Sequence, residues 1–387
     1  MLLPVLLKIW TTISIMTNFS KLVVDSSTLP NVQHSGTRLL STSLKCSNQS
    51  LNGEKFERVI RNNEFFGRLS KCGRTYLANR GGWRQLTSDN DFEHGRETIL
   101  HFVWPNKSGP QFHDLTTLEP AKVRPFPIRI TNILDDKILL NDLLAGTNVM
   151  PKSVNVPEQA DPNQLYFVKH RHGAQGKSVY AYHRNALLMT WWNDSSKKKN
   201  VQDFLIQEEI PPALDSKGRK FALRSHLLLF YRHGEQLQAL LHRDVTCQSH
   251  SMPYDRSSLA KAAHVSQAGK HHPKPQLLEE LDEDHPAKHC FEQLLDSCKV
   301  LISKLRTATT SLDATHPDVT LFALAGADHL IDSNGETKLC EINSHPALGW
   351  GSMKNVDHGV YKRLIEETLA IVVFGDDYAA TSFVPIR

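Results

Sequence analysis

The chain has 387 residues, of which 40% are hydrophobic and 22% are charged. Its 45 Lys and Arg against 41 Asp and Glu give a net charge of +4, which is too small to indicate nucleic-acid binding, since that function needs clustered basic charge. The six cysteines are widely spaced without a Cys-x-x-Cys pair, which argues against a zinc ribbon or a small disulfide scaffold. We therefore expect a cytoplasmic protein with no nucleic-acid partner.

The first 50 residues are rich in Ser and Thr and carry Lys8, Lys21, Arg38 and Lys45, with Asp25 as their only acid. This composition is typical of an organellar transit peptide, so organellar targeting stays open. A secretory signal fits less well, because no basic residue precedes the first apolar run. A disordered extension or a mispredicted start codon is the other interpretation. Lys8 and polar residues interrupt the apolar runs before the roughly 20 residues that a membrane span needs, and no transmembrane segment is predicted here or later.

From residue 56 onward the composition is globular. Apolar residues between Leu134 and Leu144 follow a helical period, with Asp135 and Asp136 near the start, where the helix dipole favours acids. This pattern predicts one helix, which carries Lys137.

Short apolar runs bounded by Gly, Pro and Asn predict a strand-rich middle. These runs are 165–169, 179–182, 204–210, 221–231, 238–241, 319–324 and 337–342, and helical patterns return at 276–281, 291–307 and 360–373. The class predicted is α+β with largely antiparallel sheets. The polar stretch 250–289 is predicted to be a long mobile connection.

The segment 169–178, Lys-His-Arg-His-Gly-Ala-Gln-Gly-Lys-Ser, lies between two predicted strands. A P-loop would need Gly six residues before its Lys, where this chain has Arg171, and it would open a helix rather than a strand. A strand, a Gly-rich turn and a strand instead predict a hairpin whose backbone N–H groups could cover phosphates. Lys169 and Lys177 would place two ammonium groups there. An ordinary solvated turn is the alternative.

Two apolar runs near the C-terminus are joined through 332–336, with Asn334-Gly335 at the centre. Asn-Gly favours a two-residue type I′ hairpin, in which Asp328 lies opposite Glu341 with Asn343 two residues further on the same face. Because like charges directly opposite destabilise a sheet, a cation between them is the natural explanation. Carboxylate and amide oxygens suit Mg²⁺, shared with nucleotide phosphates. A solvated pair on an edge strand is the alternative.

A third feature is the run 206–210, which contains Gln207, followed by the basic segment 219–224. Strand alternation sets Lys220, Ala222 and Arg224 on one face. Taken alone, this pattern indicates a solvated basic face.

In this order, the hairpin, the basic strand and the carboxylate pair resemble ATP-grasp ligases, which hold Mg-ATP between two antiparallel sheets. Over about residues 77–373 the chain resembles the tubulin–tyrosine ligase-like family. The pieces that carry the resemblance are 80–83 (Arg-Gly-Gly-Trp), the Lys137 helix, 169–177, Gln207, 219–224, Asp328 and 341–346.

The resemblance implies an ATP-dependent carboxylate–amine ligase. A carboxylate would attack the γ-phosphate, and the amine of an amino acid would displace phosphate from the acylphosphate to give an amide. ATP and Mg²⁺ are the implied cofactors. An amino acid and an acidic protein tail, with tubulin as the candidate, are the implied partners, which makes the cytoskeleton a candidate location.

The resemblance also implies roles for single residues and a division into lobes. Arg224 and Lys220 would be catalytic, and Asp328, Glu341 and Asn343 would bind the metal. The implied nucleotide-binding residues are Lys137, Lys169, Gly173, Gln175, Gly176, Lys177, Gln207, Glu208, Ser266 and Gln267. The expected parts are a leader at 1–55, an N-terminal lobe at 56–150, a central ATP-grasp lobe at 151–212, a C-terminal ATP-grasp lobe at 213–376 and a tail at 377–387.

The chain departs from the family pattern at three places. Ala222 stands where the family has Asp in its Arg-Lys-Phe-Asp-x-Arg segment. The segment 264–267, His-Val-Ser-Gln, only approximates the family's His-Leu-Thr-Asn, and no second arginine follows Arg243 on its strand. The ATP and metal parts therefore persist better than the parts expected to hold the amino acid. A nucleotide- or partner-binding member without turnover, or a ligase for an acceptor other than tubulin, are the alternatives.

Overall fold

The structure is a computed structural model. It describes residues 64–66, 71–81, 83–86, 100–103, 123–154, 161, 163–173, 178–187, 201–232, 234–265, 273–309, 319–346, 348 and 358–387. From Ile60 onward the chain forms one compact unit. None of the described helices is both long enough and apolar enough to cross a membrane.

The larger of two sheets contains eleven strands among the described residues. They are β1 (Glu64–Phe66), β2 (Arg84–Leu86), β3 (Leu100–Val103), β4 (Val123–Pro125), β9 (Phe221–Arg232), β10 (Gln238–His242), β11 (Thr246–Ser249), β12 (Gln276–Leu277), β13 (Thr320–Ile331), β14 (Thr337–Asn343) and β15 (Phe383–Pro385). The long strands β9 and β13 pair antiparallel at its centre. β14 adds to one half of β13, and β4 pairs in parallel with the other half.

The smaller sheet has the order β5-β8-β6-β7 and is antiparallel throughout. Its strands are β5 (Ser153–Val154), β6 (Leu165–His170), β7 (Val179–His183) and β8 (Phe204–Glu208). The predicted strands of the middle are confirmed, and the class is mixed α and β with antiparallel sheets. The N-terminal strands β1, β2, β3 and β4 pair in parallel, which the sequence pattern did not predict.

The described helices are α1 (Lys71–Gly81), α2 (Ile128–Asp135), α3 (Lys137–Leu143), α4 (Arg184–Leu187), α5 (Lys261–His264), α6 (Phe291–Ala308) and α7 (His358–Phe374), with 3-10 turns at Val201–Asp203, Leu278–Glu280 and Tyr378–Ala380. Helices pack on both faces of the large sheet, whereas α4 and α5 lie against β7 of the small sheet. Odd-numbered residues of β9, such as Leu223 and Leu227, pack in a core with α2, α3 and α6. Even-numbered residues Leu228 and Phe230 pack in a second core with α7. Strand alternation thus separates two cores.

Three predictions about the elements were wrong. The single helix at 134–144 is two helices, because Asp136 is an N-cap whose side chain accepts from the N–H groups of Ile138 and Leu139. The helix at 276–281 is β12 and a 3-10 turn, since pairing of Gln276 with Cys247 overrides the local apolar period. The stretch 250–289 contains α5 and β12, and its residues 254–264 make ion pairs and hydrogen bonds described below.

Buried histidines should make the fold acid-sensitive. His250 and His329 are 2% and 1% exposed, and burial lowers the pKa of each to about 4. In the unfolded chain the two histidines take up protons near pH 6.5, whereas in the folded chain they stay neutral down to about pH 4. The free energy of unfolding therefore keeps its full value above pH 6.5 and decreases as the pH falls toward 4. Between pH 7 and pH 5 we expect a loss of about 2 kcal/mol for each histidine.

Urea unfolding at pH 7 and pH 5 measures this loss. Neither ring nitrogen of His329 has a hydrogen-bond partner among the described residues. His329→Leu therefore removes the titrating ring without breaking a hydrogen bond, and it should remove the part of the pH dependence that His329 contributes. An unchanged pH slope in that variant would contradict the assignment.

Candidate functional site

The β13–β14 hairpin brings the predicted metal ligands together. Asp328 pairs with Glu341, and Gly326 pairs with Asn343, in the predicted register. The predicted turn is wrong, however. The Gly335 N–H donates to the Asp332 carbonyl at 2.9 Å, so Ser333 and Asn334 are the central turn residues, and Gly335 follows them with a φ of 84°. A left-handed Gly after such a turn is the usual three-residue hairpin loop.

A β-bulge at Cys340 restores the predicted register. His329 pairs with Leu339, whereas Asp328 pairs with Glu341, so Cys340 is an extra residue on β14. Leu339 and Ile342 consequently both face the core shared with α6, although they are three positions apart. Because a bulge reverses the alternation of side chains, Glu341 is turned to the opposite face.

The side chains of Arg224, Asp328 and Glu341 form a row across three neighbouring strands. Arg224 on β9 pairs with Asp328 on β13 and donates to both of its carboxylate oxygens, through Nε and, at 2.7 Å, through Nη2. Burial raises the pKa of Asp328, Arg224 opposes that shift, and Glu341 adds to it, with a net pKa above the ordinary value. The two carboxylates therefore lie close enough to repel each other.

Lys137 supplies a second cation to this row. Its Nζ lies 3.0 Å from Glu341 Oε2 and donates to the Gly173 carbonyl at 2.7 Å. Burial tends to raise the pKa of Glu341, but Lys137 and Lys169 outweigh it, so the pKa is lowered. Lys137 thus joins the start of α3, the β6–β7 hairpin and β14.

Strands β6 and β7 of the predicted hairpin pair antiparallel, and residues 174–177 of its turn lie outside the described residues. Charged side chains hold the end of β6 that leads into this turn. Arg171 donates to Asp136 from Nη2 at 2.5 Å and from Nε at 2.8 Å. Lys169 donates to Gln207 Oε1 at 2.7 Å across β6 and β8. Gln207 is 1% exposed, and its amide oxygen orients Lys169 in this structure, so its binding of the nucleotide stays a prediction. Glu208 pairs with Lys152 at 3.1 Å.

Part of the predicted nucleotide site lies outside the described residues. This applies to Gln175, Gly176, Lys177, Ser266 and Gln267. Gly173 is described, and its carbonyl accepts from Lys137.

Lys220 forms its ion pair with Glu209 rather than with a carboxylate of the row. Its Nζ donates to Glu209 at 2.6 Å and lies 3.3 Å from His264 Nδ1, and the Lys220 side chain is 3% exposed. Its catalytic role stays a prediction, and in this structure its ammonium is engaged by Glu209.

The position of the departure at Ala222 is also defined. Ala222 pairs with Gln248 on β11, and the Gln248 amide donates to the carbonyls of Ser249 and Pro273. A neutral amide therefore stands across from the position where the family has a carboxylate.

The end of β14 is fixed from α2. The Ser344 backbone N–H donates to Asp135 Oδ1 at 2.6 Å, and the Ser344 hydroxyl donates to Asp135 Oδ2. Burial raises the pKa of Asp135, but the bonds from His345 and Ser344 lower it, with a net decrease. This clamp sets the direction of the chain immediately after Asn343.

The donor set of Asp328, Glu341 and Asn343 fits Mg²⁺, since it offers only hard oxygen ligands beside each other on one face. Among the residues that the structure describes, no group of three or more His, Cys, Asp or Glu is placed to hold a metal. Two carboxylates and one amide are few ligands for an all-protein site. They suit an ion that is completed by water and phosphate oxygens.

Gly326 leaves the space that Arg224 crosses. A Cβ at this position would lie 3.1 Å from Cδ and Nη1 of Arg224 and from Cβ of Pro346. We expect Gly326→Ala to lower the free energy of unfolding by about 1–3 kcal/mol by overpacking. Urea unfolding measures the loss, and the same substitution in an Arg224→Ala background should cost less. Equal costs in both backgrounds would show that Arg224 is not the residue displaced.

Sequence reasoning missed the role of Asp136 as a cap between two helices and the roles of Glu209 and Gly326. The signal for Asp136 was its position one residue before Lys137, where an acid can be a cap. Glu209 and Gly326 carried no local signal, since their roles depend on partners in other strands.

A model of the Tubulin-tyrosine ligase family matches residues 142–380 of this chain. The match includes the strands with Arg224, Asp328 and Glu341, and it begins just after Lys137. No curated protein gave a significant match to the chain.

Proposed function

Because the chain belongs to the tubulin–tyrosine ligase family, we propose that it is an ATP-dependent ligase that joins an amino acid to a carboxylate of a protein. Family membership supports a ligase of this class in general. The single observation that carries the finer proposal is the row of Arg224, Asp328 and Glu341, with Asn343 beside it and Lys137 at its end.

The cations suit the binding of a polyphosphate. Lys137 and Lys169 come from different parts of the fold, and both act on the charge of Glu341. With ATP bound, they would hold the phosphates, and the backbone of the β6–β7 turn would cover them. Preorganised cations stabilise the charge of a transferring phosphoryl group without reorganisation. Arg224, fixed by two bonds to Asp328, would contribute from the sheet.

Asp328, Glu341 and Asn343 would hold Mg²⁺, which would neutralise phosphate charge when bound. The acceptor carboxylate would form a bond to the γ-phosphorus as ADP leaves. The amine would then form the amide bond as phosphate leaves. The site residues mainly orient these charged reactants, which is the larger part of such catalysis.

Incorporation of a labelled amino acid tests the proposal. The purified full chain with Mg-ATP and tubulin should incorporate labelled Tyr, Glu or Gly, since an acidic tail provides the acceptor carboxylate. Incorporation only into another protein would support the same chemistry with a different acceptor. Lack of incorporation of all three into any acceptor would count against ligation.

A second candidate is a family member that binds nucleotide without turnover. Two observations favour it, namely the neutral Ala222–Gln248 pair and the engagement of Lys220 by Glu209. ATP affinity with and without Mg²⁺, followed by turnover, separates the two functions, because binding without product supports the second.

A further inference from the structure

A buried ion pair lies where the two sheets meet. Lys220 immediately precedes β9 of the large sheet, and Glu209 immediately follows β8 of the small sheet. Their charged atoms are 2.6 Å apart, and the side chains are 3% and 2% exposed. A lysine and a glutamate this deeply buried must satisfy each other, because an unpaired charge is costly there.

The Lys220 ammonium has two hydrogen-bond partners and two aromatic neighbours. One N–H group points to Glu209, and one points to His264 Nδ1 at 3.3 Å. His264 Nε2 lies 2.6 Å from the Ser258 carbonyl, which only accepts, so Nε2 carries the hydrogen and Nδ1 accepts from Lys220. The ammonium also lies 4.4 Å from the Tyr254 ring centroid and 5.3 Å from that of Phe167, where cation–π attraction holds it.

Glu209 is equally well held. Its second oxygen accepts from the Tyr254 hydroxyl at 3.0 Å and lies 3.6 Å from Arg256 Nε. Arg256 also donates to Gln164 Oε1, and the Gln164 amide donates to the Glu209 carbonyl. These contacts link β6 and β8 of the small sheet to the segment 250–265, which follows β11 of the large sheet.

We propose that Glu209 and Lys220 are a positioning pair that joins the two sheets, and that Lys220 is not a phosphate ligand. The pair sets where Lys169 and Gln207 of the small sheet lie relative to Asp328 and Glu341 of the large one. Lys220 acts on nucleotide only through this placement, a consequence that rests on the proposed function. The joining of the sheets does not depend on that function.

The test uses the full chain with Glu209→Gln, Lys220→Met and the double variant. Each single variant leaves a buried partner unpaired, so each should lower the urea midpoint and speed hydrogen exchange in β6 and β8 more than in the centre of β13. The double variant should lose less than the sum of the singles. Lys152→Met is the matched control, since the Lys152 side chain is 76% exposed and pairs with Glu208 of the same small sheet, so its loss should change neither readout.

The direction in which ATP affinity changes distinguishes the two roles of Lys220. If Glu209 and Lys220 are a positioning pair, both single variants should weaken ATP binding at least threefold. A phosphate ligand predicts opposite effects, since Glu209→Gln would free the ammonium and tighten binding, whereas Lys220→Met would weaken it. Opposite signs, or wild-type exchange and midpoint in both variants, would overturn the proposal.

Two further outcomes are informative. If the wild-type chain binds no ATP, the proposed function fails, yet the exchange measurement still decides whether the pair joins the sheets. If Glu209→Gln does not fold, Glu209→Asp keeps the charge with a shorter reach, and a smaller increase in exchange in β6 and β8 is expected. Exchange equal to wild type in Glu209→Asp and in Lys220→Met would then overturn the proposal.

Discussion

Glu341→Gln is expected to abolish Mg²⁺-dependent ATP binding, with an affinity loss of about 100-fold or more. The amide removes one of two carboxylates facing the proposed ion. It also leaves Lys137, whose side chain is 6% exposed, without the acid that lies 3.0 Å away. The variant keeps the shape of the side chain, so the loss reports on charge. Calorimetric titration with ATP, with and without Mg²⁺, measures it.

Glu336→Gln is the matched control for this variant. Glu336 lies in the same hairpin, is 57% exposed at its side chain and pairs with Lys338 at 2.7 Å, away from the row of charges. The affinity of the Glu336→Gln variant for Mg-ATP should equal that of the wild type. Wild-type affinity in Glu341→Gln would contradict the role of the carboxylate pair.

Arg224→Met is expected to lower the free energy of unfolding by about 3 kcal/mol at pH 7. The substitution leaves Asp328 beside Glu341 without the guanidinium that donates to both of its oxygens. Burial and Glu341 already raise the pKa of Asp328, and Arg224 is the group that opposes them. Without Arg224 the pKa rises further, so the carboxyl is protonated on acidification and the cost of the variant shrinks between pH 7 and pH 5.

Urea unfolding of variant and wild type at both pH values measures this change, and the shared histidine contribution cancels in the difference. Asp328→Asn should recover part of the loss when combined with Arg224→Met. Arg232→Met is the control on the same strand, because the Arg232 guanidinium donates to the Ile371 carbonyl, and its cost should not depend on pH. A cost for Arg224→Met that is equal at pH 7 and pH 5 would show that Asp328 is not the group left unpaired.

The pairing of Asp328 with Glu341 shows how far the sequence could reach. The predicted pairing of Asp328 with Glu341 was right, whereas the predicted two-residue turn was wrong, and the pairs from His329 to Ile331 differ from the prediction by one residue. The loop shifts the register by one residue, and the bulge at Cys340 shifts it back. The alternation of side chains along a strand depends on neighbouring residues. The bulge at Cys340 depends instead on the tertiary core, which both Leu339 and Ile342 contact.

The helix around Lys137 shows a second limit. Its apolar period predicted one helix, because periodicity records which residues are buried. The interruption at Asp136 depends on capping and on Arg171, which comes from a hairpin more than 30 residues away in the chain. The lobe boundaries and the roles at nucleotide stay predictions.

By itself, the sequence determined the strands of the middle, the family, and the cations and carboxylates available to the site. These follow from residue type and near spacing. Only the tertiary structure decided which charges pair. Arg224 pairs with Asp328, Lys137 pairs with Glu341, and Lys220 pairs with Glu209. The physical reason is that an ion pair depends on distance and burial in three dimensions, and residues far apart in the chain supply the partner.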